Sequence, residues 1–427
     1  MGLAWKSIVV PAVLLLIFFL SFTSQILFLY IEPQPLERNE VVLFNSLLAC
    51  LLICYARAIR TDPGSVPVDW AKRIPGSEDE PIAGGGSQNP SRQRWCRKCK
   101  MLKPPRAHHC KTCQKCIPKM DHHCPWTLNC VSHTTFPHFI RFVLYCVVTM
   151  SYLEYFLYVR AGIVWESRHL PSYYGPSVFQ LSHLFALVTL NSFTLFMLTI
   201  LLIRSLWCLV VNTTTIEGWE IERHETLVRR ARYLGGCLNG PDGIRIRITK
   251  QEFPYDIGIW RNIVQGMGTS NPLAWFWPFA ATPSVESSLS YETNGFEDPS
   301  IGWPPPDPDR IPRVPRPASG PPAPSTHQGS SEVASFRKRQ AENMKRWRDS
   351  PTVRRRQPFH ARYEANREFS DYGGSSEEEE VDEGEEAWRN SEGERLQDFG
   401  VDEEVEFYDE DEDDIPLAEL MRRRRGR

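Results

Sequence analysis

The last third of the 427-residue chain contains few apolar residues and no cysteine. Its charges are segregated instead, because residues 377–414 hold 21 acidic residues against two arginines. A segment of this composition cannot bury enough apolar surface to offset the entropy that it loses on folding. The composition excludes an independently folded domain here and predicts a disordered tail over 282–427, Pro-rich at first and then acidic.

Charge is missing from a few long stretches in the first half of the chain. Between Ile8 and Ile31 there are 24 residues without a charged side chain, and a helix of that length crosses a bilayer core of about 30 Å. A cleaved signal peptide is the alternative, but its apolar region would be shorter and would end at small residues. Further apolar runs at 41–58, 139–163 and 184–203 complete a prediction of four transmembrane helices.

Cysteine is scarce outside one block of the chain. Seven of the twelve cysteines lie between Cys96 and Cys130, together with four histidines. Clustered C-x-x-C pairs in an otherwise cysteine-poor chain favour metal ligation in a reducing compartment over a secreted disulfide framework. The sequence therefore predicts a metal-binding module between the second and third helices.

Acidic residues are absent from 91–120, which holds ten lysines and arginines. The loops at 32–40 and 164–183 carry only one or two basic residues each, so the positive-inside rule places the cysteine block and both termini in the cytosol. The basic side chains either contact CoA phosphates and anionic lipid headgroups or form a solvated face. They are Arg92, Arg94, Arg97, Lys98, Lys100 and Lys103. Because the chain is tethered to a membrane, we expect no nucleic-acid partner.

The spacing within the block suits zinc. Two thiolates of a C-x-x-C turn can meet one tetrahedral ion, and the block is too short and polar to fold without metal. Two four-coordinate sites need eight ligands, whereas seven cysteines and four histidines offer eleven. Three potential ligands are left over, and their identity decides whether the module is structural or catalytic.

The sequence Asp121-His122-His123-Cys124 contains the residue types of a nucleophilic site. A reactive thiol needs a neighbouring base, and a carboxylate can fix the tautomer of that base and stabilise its cationic form. A zinc-bound Cys124 would lose most of its nucleophilicity. Spacing leaves both possibilities open, an enzyme with Cys124 as nucleophile or a purely structural pair of zinc sites.

The block resembles the cysteine-rich domain of the DHHC family of integral-membrane protein S-acyltransferases, the palmitoyltransferases. The similar residues in the block are Cys96, Cys99, 106–110, Cys113, Cys116, 120–126 and 129–131. Outside it, Asp62-Pro63-Gly64 resembles the family's DPG motif and Thr214-Thr215-Ile216-Glu217 its TTxE motif. Tyr255, Gly258, Asn262 and Gly268 are similar to its C-terminal element. The stretch 124–142 and the acidic tail look most like a fungal endoplasmic-reticulum subgroup.

This resemblance implies two structural zinc ions and a catalytic thiol. One ion would be held by Cys96, Cys99, His109 and Cys116, and the other by Cys110, Cys113, His123 and Cys130. His108, His122 and Cys124 are then left over. The family pattern makes Asp121 the residue that orients His122, His122 the base and Cys124 the acyl carrier. One departure is Thr127-Leu128, where many members have Val-Asn or Ile-Asn.

The resemblance also implies a substrate class and a location. Palmitoyl-CoA would be the acyl donor, and client proteins with membrane-proximal cysteines would be the acceptors. The protein would lie in the lipid bilayer of the endoplasmic reticulum as a multi-pass enzyme with both termini cytosolic. A non-catalytic membrane scaffold whose zinc module only recruits clients is the rival interpretation.

The predicted fold is thus an all-α polytopic membrane protein with four transmembrane helices, a cytosolic zinc-binding module between the second and third, and a disordered tail. The predicted segments are 1–60 for helices one and two, 61–137 for the linker and cysteine-rich domain, 138–211 for helices three and four, 212–281 for the TTxE and C-terminal elements, and 282–427 for the tail. Within the helices, Glu154 is either functional or is a residue near the lumenal interface or simply protonated. Asn191 is expected to bond a neighbouring helix.

Overall fold

Four long apolar helices dominate the computed structural model. It describes residues 2–33, 35–70, 94–169, 171, 174–240, 245–296, 302–305, 307–308 and 388–402. The helical stretches of membrane-spanning length and composition are Ile8–Leu27, Arg38–Arg60, Phe136–His169 and Val178–Val211. Mean hydropathy lies between 1.6 and 2.2 in each, which fits helices that face lipid. The prediction of four helices long enough to cross a membrane is confirmed, and we call them spans 1 to 4.

Span 1 is not a uniform α-helix. It runs through α1 (Gly2–Phe18), a π-helical turn at Phe19–Thr23 and α2 (Ser24–Leu27). Spans 2, 3 and 4 are formed by α3 (Arg38–Arg60), α4 (Phe136–Glu166, extended by a 3₁₀ turn) and α5 (Val178–Val211). The third helix begins and ends a few residues beyond the predicted apolar run. The fourth begins several residues before position 184 and ends at Val211, toward which its apolar run was expected to extend.

The spans pack through two apolar clusters near opposite ends. One contains Phe28, Phe44, Phe156 and Leu187 and joins all four spans. The other surrounds Tyr55 and also joins all four, with Leu51, Phe142, Val143 and Leu202 buried in it and α1 residues packed against it. The second cluster includes Cys124, so it reaches from the spans into the cysteine block.

A polar contact joins spans 3 and 4 inside the helical bundle. Glu154 accepts hydrogen bonds from the Asn191 amide and the Ser192 hydroxyl, both at 2.6 Å. Asn191 is fully buried and also donates to the Met150 carbonyl at 3.1 Å. The expectation that Asn191 bonds a neighbouring helix is confirmed. Glu154 of span 3 is one of its partners, so this carboxyl group also helps to join spans 3 and 4.

The cysteine block consists of three β-hairpins, which corrects the prediction of an all-α fold. Its strands are β1 (Trp95–Cys96), β2 (Met101–Leu102), β3 (His108–Cys110), β4 (Lys115–Ile117), β5 (His122–Cys124) and β6 (Asn129–Val131). They pair as β1–β2, β3–β4 and β5–β6, all antiparallel. Strands form here because each C-x-x-C or C-x-x-T turn folds the chain back on itself.

The three hairpins repeat at intervals of 14 residues. Cys96, Cys110 and Cys124 each pair with the residue five positions later. The turn residues Lys100, Gln114 and Leu128 all have left-handed φ angles, between 52° and 57°. The hairpins, numbered 1 to 3 in chain order, are therefore copies of one local structure.

The segment after span 4 folds against the hairpins and the ends of the spans. It contains α6 (Thr215–Tyr233), the hairpin of β7 (Cys237–Asn239) and β8 (Arg245–Arg247), α7 (Ile259–Met267) and α8 (Pro272–Phe276). Helix α6 begins at a capping box in which Thr214 accepts from the Glu217 amide and Glu217 accepts from the Thr214 amide. Thr214 followed by Glu217 three residues later is the sequence pattern of such a box.

Parts of the tail have definite structure. Residues 282–296 and 388–402 lie inside the predicted disordered region, yet the structure describes both with hydrogen bonds and buried side chains. Residues 388–402 end in a 3₁₀ turn, Leu396–Phe399, whose Leu396 and Phe399 are buried. The predicted absence of structure therefore does not extend to these two stretches. Most of the Pro-rich and basic stretches and the terminal arginines lie outside the described residues.

Candidate active site and metal-binding hairpins

Two sets of side chains in the block could each hold a metal ion. The first is Cys96, Cys99, His109 and Cys116, and the second is Cys110, Cys113, His123 and Cys130. Within each set the candidate ligand atoms lie within 4.8 Å of one another. These sets are the two that the family resemblance implied.

The distances within the sets match a tetrahedral zinc ion. In the first, His109 Nδ1 lies 3.3 Å from Cys99 Sγ and 3.8 Å from Cys116 Sγ. In the second, His123 Nδ1 lies 3.5 Å from Cys113 Sγ, and the sulfurs of Cys113 and Cys130 are 3.4 Å apart. Zinc–sulfur and zinc–nitrogen bonds of about 2.3 and 2.0 Å require ligand separations of about 3.5–3.8 Å. The donor sets therefore fit zinc.

The ligand sets interlock the hairpins. Each takes its C-x-x-C pair from one hairpin and a histidine and a cysteine from the next, at the cross-strand pairs His109–Cys116 and His123–Cys130. Hairpin 2 contributes to both sets. A metal ion in each site would therefore fasten hairpin 1 to hairpin 2 and hairpin 2 to hairpin 3.

Hairpin 3 carries the first cysteine of a metal-binding turn but not the second. Cys124 occupies the position of Cys96 and Cys110, whereas Thr127 stands where the others have Cys99 and Cys113. Cys124 lies in neither ligand set. The 14-residue repeat in the sequence contains the signal for this difference, which counting ligands did not reveal.

Asp121, His122 and Cys124 lie side by side. His122 Nδ1 lies 2.7 Å from Asp121 Oδ2, and the His122 imidazole is close enough to Cys124 to lower the pKa of its thiol. Cys124 is 4% exposed, whereas His122 is half-buried. The structure thus brings together all three residues predicted as catalytic.

The electrostatics of these three residues favour a thiolate–imidazolium pair. Burial lowers the pKa of His122, but its hydrogen bonds with Asp121 and Cys124 outweigh that effect and raise the pKa to about 10. Burial raises the pKa of the Cys124 thiol, but the hydrogen bond and charge of His122, together with hydrogen bonds from Thr127, bring it below its usual value. A positioned cationic base is the usual way to activate a cysteine.

The TTxE motif orients the Asp121 carboxylate. Thr215 donates its backbone N–H to Asp121 Oδ1 at 2.8 Å and its hydroxyl to the Asp121 carbonyl at 2.5 Å. These bonds leave Asp121 Oδ2 for His122. Sequence reasoning identified the motif but not this contact, because 94 residues separate the two partners.

The Cys124 thiol borders the apolar layer between the spans. It belongs to the same buried cluster as Phe139, Phe142 and Leu202, and Phe139 also contacts the His122 ring edge-on at 5.7 Å. Tyr55 of span 2 donates its hydroxyl to the Trp126 carbonyl at 2.9 Å, two residues after Cys124 in the chain. The Cys124 sulfur therefore lies at the edge of the apolar layer between the helices.

Two contacts fix hairpin 3 to the end of span 2. The buried Asn129 amide donates to the carbonyls of Ala58 and Thr61 at 3.0 and 2.8 Å, which satisfies backbone groups at the helix terminus. In the DPG motif, the Asp62 carbonyl accepts from the Thr134 hydroxyl at 2.8 Å. The position of Cys124 relative to the spans follows from these bonds.

A buried ion pair ties the hairpins to α6. Arg106 donates to both carboxylate oxygens of Glu217 at 2.6 and 2.7 Å, and its guanidinium lies 4.5 and 4.9 Å from the ring centres of Tyr255 and Tyr291. Arg106 also donates to the Asn212 carbonyl at 2.6 Å. The sequence named Arg106 and Glu217 separately, but nothing in their local patterns indicated that they pair.

The C-terminal element closes the site from the side of span 4. Fully buried Asn262 donates to the Val210 carbonyl at 2.7 Å. Gly268 has a φ of 70°, and a Cβ there would lie 2.4 Å from Pro283, so no other residue fits.

His108, which belongs to neither metal-binding set, is also buried, and its Nδ1 lies 3.0 Å from the Arg94 guanidinium.

Known proteins resemble this chain along nearly all of its length. A sequence model of the DHHC palmitoyltransferase family matches residues 89–222. Palmitoyltransferase pfa4 of Aspergillus fumigatus is 55% identical over 98% of both chains. The pfa4 of Emericella nidulans is 55% identical over 98% of this chain and 96% of its own. Palmitoyltransferase PFA4 of Gibberella zeae is 43% identical with the same coverage.

The chain belongs to the DHHC palmitoyltransferase family. The resemblance seen in the sequence is confirmed, as is the fungal subgroup within it. The predicted palmitoyltransferase activity is confirmed by the same comparisons. The motifs that carried the prediction are those that the structure assembles around Cys124.

Proposed function

We propose that this DHHC palmitoyltransferase transfers palmitate from palmitoyl-CoA, through an acyl-enzyme on Cys124, to cysteine thiols of client proteins. The main support is a division within the cysteine block. Eight Cys and His side chains form two compact sets that could hold metal, while Cys124 lies outside both and has its pKa lowered by His122. A thiol free of metal, paired with a base and bordering an apolar layer has the properties that acyl transfer needs.

In the first step, the Cys124 thiolate attacks the thioester carbonyl of palmitoyl-CoA. A bond forms between Cys124 Sγ and the acyl carbon, and the bond from that carbon to the CoA sulfur breaks. CoA leaves as a thiolate and takes a proton from the His122 imidazolium. Asp121 keeps the His122 ring in the orientation that this transfer requires.

In the second step, a client cysteine gives its thiol proton to neutral His122 and attacks the acyl carbon. The bond to Cys124 Sγ breaks and the thiolate–imidazolium pair forms again. Because one thioester replaces another, the equilibrium constant of the overall reaction is close to one. The enzyme therefore acts mainly by generating the thiolate and positioning the reactants.

Each metal-binding set holds one structural Zn²⁺ in this proposal. The first site uses Cys96, Cys99, His109 and Cys116, and the second uses Cys110, Cys113, His123 and Cys130. The ions supply folding free energy to hairpins that have little core of their own. Protein side chains would occupy all four coordination positions of each ion, which is typical of structural zinc; a catalytic zinc keeps one position open for water.

The enzyme is placed in the endoplasmic reticulum membrane, with the hairpins and both termini on the cytosolic side. The basic residues of 91–120 support this orientation through the positive-inside rule. The fungal subgroup supports the organelle. Client thiols close to the cytosolic membrane surface can then approach Cys124, and the lipid bilayer holds the acyl chain near the spans.

The deciding experiment follows labelled palmitate on the purified protein. Wild type incubated with labelled palmitoyl-CoA takes up label that hydroxylamine removes, and a client peptide with a membrane-proximal cysteine then accepts it. Cys124→Ser takes up none. Cys208→Ser, which alters a half-buried cysteine outside both metal-binding sets, serves as the control and labels normally. Equal label on Cys124→Ser and wild type contradicts the acyl-enzyme, and the non-catalytic scaffold then becomes the better interpretation.

A further inference from the structure

A short segment of the acidic tail lies directly on the metal-binding hairpins. Residues 388–402, which we call the strap, add to the edge of hairpin 2: the Lys111 amide donates to the Gly400 carbonyl at 2.9 Å, and the Asp402 amide donates to the His109 carbonyl at 3.0 Å. Val401 forms an antiparallel bridge with Cys110. His109 belongs to one ligand set and Cys110 to the other, so the strap contacts both.

Apolar side chains hold the strap in place. Leu396, Phe399 and Val401 are 6% exposed or less and share a buried cluster with Cys110 and Cys130. Near the other end of the strap, Trp388 packs edge-on against Trp219 of α6 with ring centres 4.8 Å apart. The strap is therefore packed at both ends, unlike a charged tail that only associates loosely.

Ion pairs between acidic residues of the strap and basic residues of the rest of the chain add to this contact. Asp402 pairs with Lys98 of hairpin 1, and Glu392 pairs with Arg204 of span 4 at 2.7 Å. The Ser391 amide also donates to Glu222 of α6 at 2.5 Å. The strap thus joins hairpins 1 and 2, α6 and the end of span 4.

The closest approach is at a zinc ligand of the second set. Gly400 has a φ of 82°, and a Cβ on it would lie 2.7 Å from His123 Cβ and 3.5 Å from the His123 backbone nitrogen. His123 directly precedes Cys124 in β5. Groups that pack on metal ligands hold their orientation, and their loss typically lowers metal affinity 10–100-fold.

We propose that the strap is a positioning element that keeps zinc in both sites and holds the Cys124 hairpin in register. Opening hairpin 2 requires the strap to leave Cys110 and His109, so the strap slows ligand exchange at both ions. The proposal rests on the zinc assignment made above. It gives a structural role to a segment whose surrounding composition predicts disorder.

The first test compares two shortened chains in detergent or nanodiscs. One ends at Asp402 and keeps the strap, and the other ends at Ala387 and lacks it. Zinc release to a colorimetric chelator is timed in each. We expect the chain ending at Asp402 to match the full chain and the chain ending at Ala387 to release zinc at least tenfold faster. Equal release rates in the two chains overturn the proposal.

A pair of point variants tests the contact without removing residues. Gly400→Ala and Gly393→Ala place the same methyl group on backbones with φ of 82° and 78°, so their backbone strain is matched. Only at Gly400 does that methyl meet another residue, since nothing lies within 4 Å of a Cβ at Gly393. We expect faster zinc release and slower acyl-enzyme formation in Gly400→Ala only. Should the chain ending at Ala387 fail to fold, this pair decides.

Rescue in trans separates positioning from a general folding defect. A synthetic peptide of residues 388–402, added at the millimolar level typical of a tethered segment, restores slow zinc release to the chain ending at Ala387. A peptide with Leu396 and Phe399 both changed to Ala does not. A wild-type chain that binds no zinc or takes no palmitate contradicts the proposed function. Wild-type behaviour in every strap variant contradicts the strap alone.

Discussion

Hairpins 2 and 3 have the same backbone and opposite tasks. Both begin with His-His-Cys, and both pair that cysteine with the residue five positions later. In hairpin 2 the turn supplies Cys113, so Cys110 has a second thiolate with which to bind metal. In hairpin 3 the turn supplies Thr127, and Cys124 lies outside both metal-binding sets. In the proposed function, this one residue in the turn separates a structural thiolate from a nucleophile.

The second difference lies in the surroundings of the two hairpins. Hairpin 2 packs against the strap and against Ile216 and Trp219 of α6. Hairpin 3 instead faces the ends of the spans through Phe139 and Tyr55. Hairpin 3 is also the one next to Asp121, which α6 orients through Thr215. In the proposed function, the same local fold is catalytic only where it meets both an acid–base partner and an apolar layer.

The largest effect is expected from removing a metal ligand of hairpin 2. In Cys113→Ser the second metal-binding set keeps three ligands, and zinc supplies roughly 10 kcal/mol or more of folding free energy in small zinc modules. We expect the loss of one zinc per chain and unfolding of the block, measured by metal analysis and limited proteolysis. Cys237→Ser, outside both sets, is the control. Full zinc content in Cys113→Ser contradicts the ligand assignment.

The second-largest effect is expected from removing the Asp121 carboxylate, which lies beside hairpin 3. In Asp121→Asn the pKa of His122 falls from about 10 because the carboxylate that stabilises the imidazolium is gone, and the pKa of Cys124 rises in turn. We expect acyl-enzyme formation to slow about 100-fold or more at neutral pH. The pH midpoint for alkylation of Cys124 by iodoacetamide moves upward. An unchanged midpoint contradicts the role given to Asp121.

Converting hairpin 3 into a metal-binding turn tests the repeat itself. Thr127→Cys creates a C-x-x-C pair with Cys124 next to His122, so three potential zinc ligands meet. We expect micromolar zinc to inhibit acyl-enzyme formation at least tenfold in this variant, with recovery after a chelator is added. Thr127→Ser adds no second thiolate and stays insensitive to zinc. Equal sensitivity of the two variants would show that the hairpins are not equivalent.

The smallest effect concerns the turn at Leu128, which has a φ of 52°. Leucine is disfavoured in the left-handed region, where asparagine is tolerated. Leu128→Asn should therefore raise the free energy of unfolding by about 1 kcal/mol, because it relieves strain that costs about 1–2 kcal/mol. The measurement is a shift of thermal unfolding to higher temperature. An unchanged or lower unfolding temperature would mean that packing of the Leu128 side chain outweighs the strain.

The sequence predicted well where the signal is local. Four uncharged or nearly uncharged runs predicted the spans. The motif spacing with the family resemblance named the residues that the structure gathers into two sets able to hold metal and into the Asp121–His122–Cys124 cluster. It predicted poorly where partners are distant along the chain. The Arg106–Glu217 pair and the Thr215–Asp121 bonds join residues about 100 positions apart, and no periodic pattern encodes them.

The tail shows a different limit. Composition averaged over 146 residues indicates disorder, and that average hides a short run with Trp388, Leu396, Phe399 and Val401. These side chains are too few to form a core of their own, but the hairpins offer them one. A rule about independent folding does not cover a segment that packs on another part of the same chain.

The central claim is that metal binding and chemistry are divided between hairpins that share one fold. Native mass spectrometry of wild type and Cys124→Ala, after incubation with palmitoyl-CoA, tests it most directly. We predict two zinc ions in both proteins, with one palmitoyl group on wild type and none on Cys124→Ala. A zinc ion lost with Cys124, or a palmitoyl group that stays without it, would contradict the account.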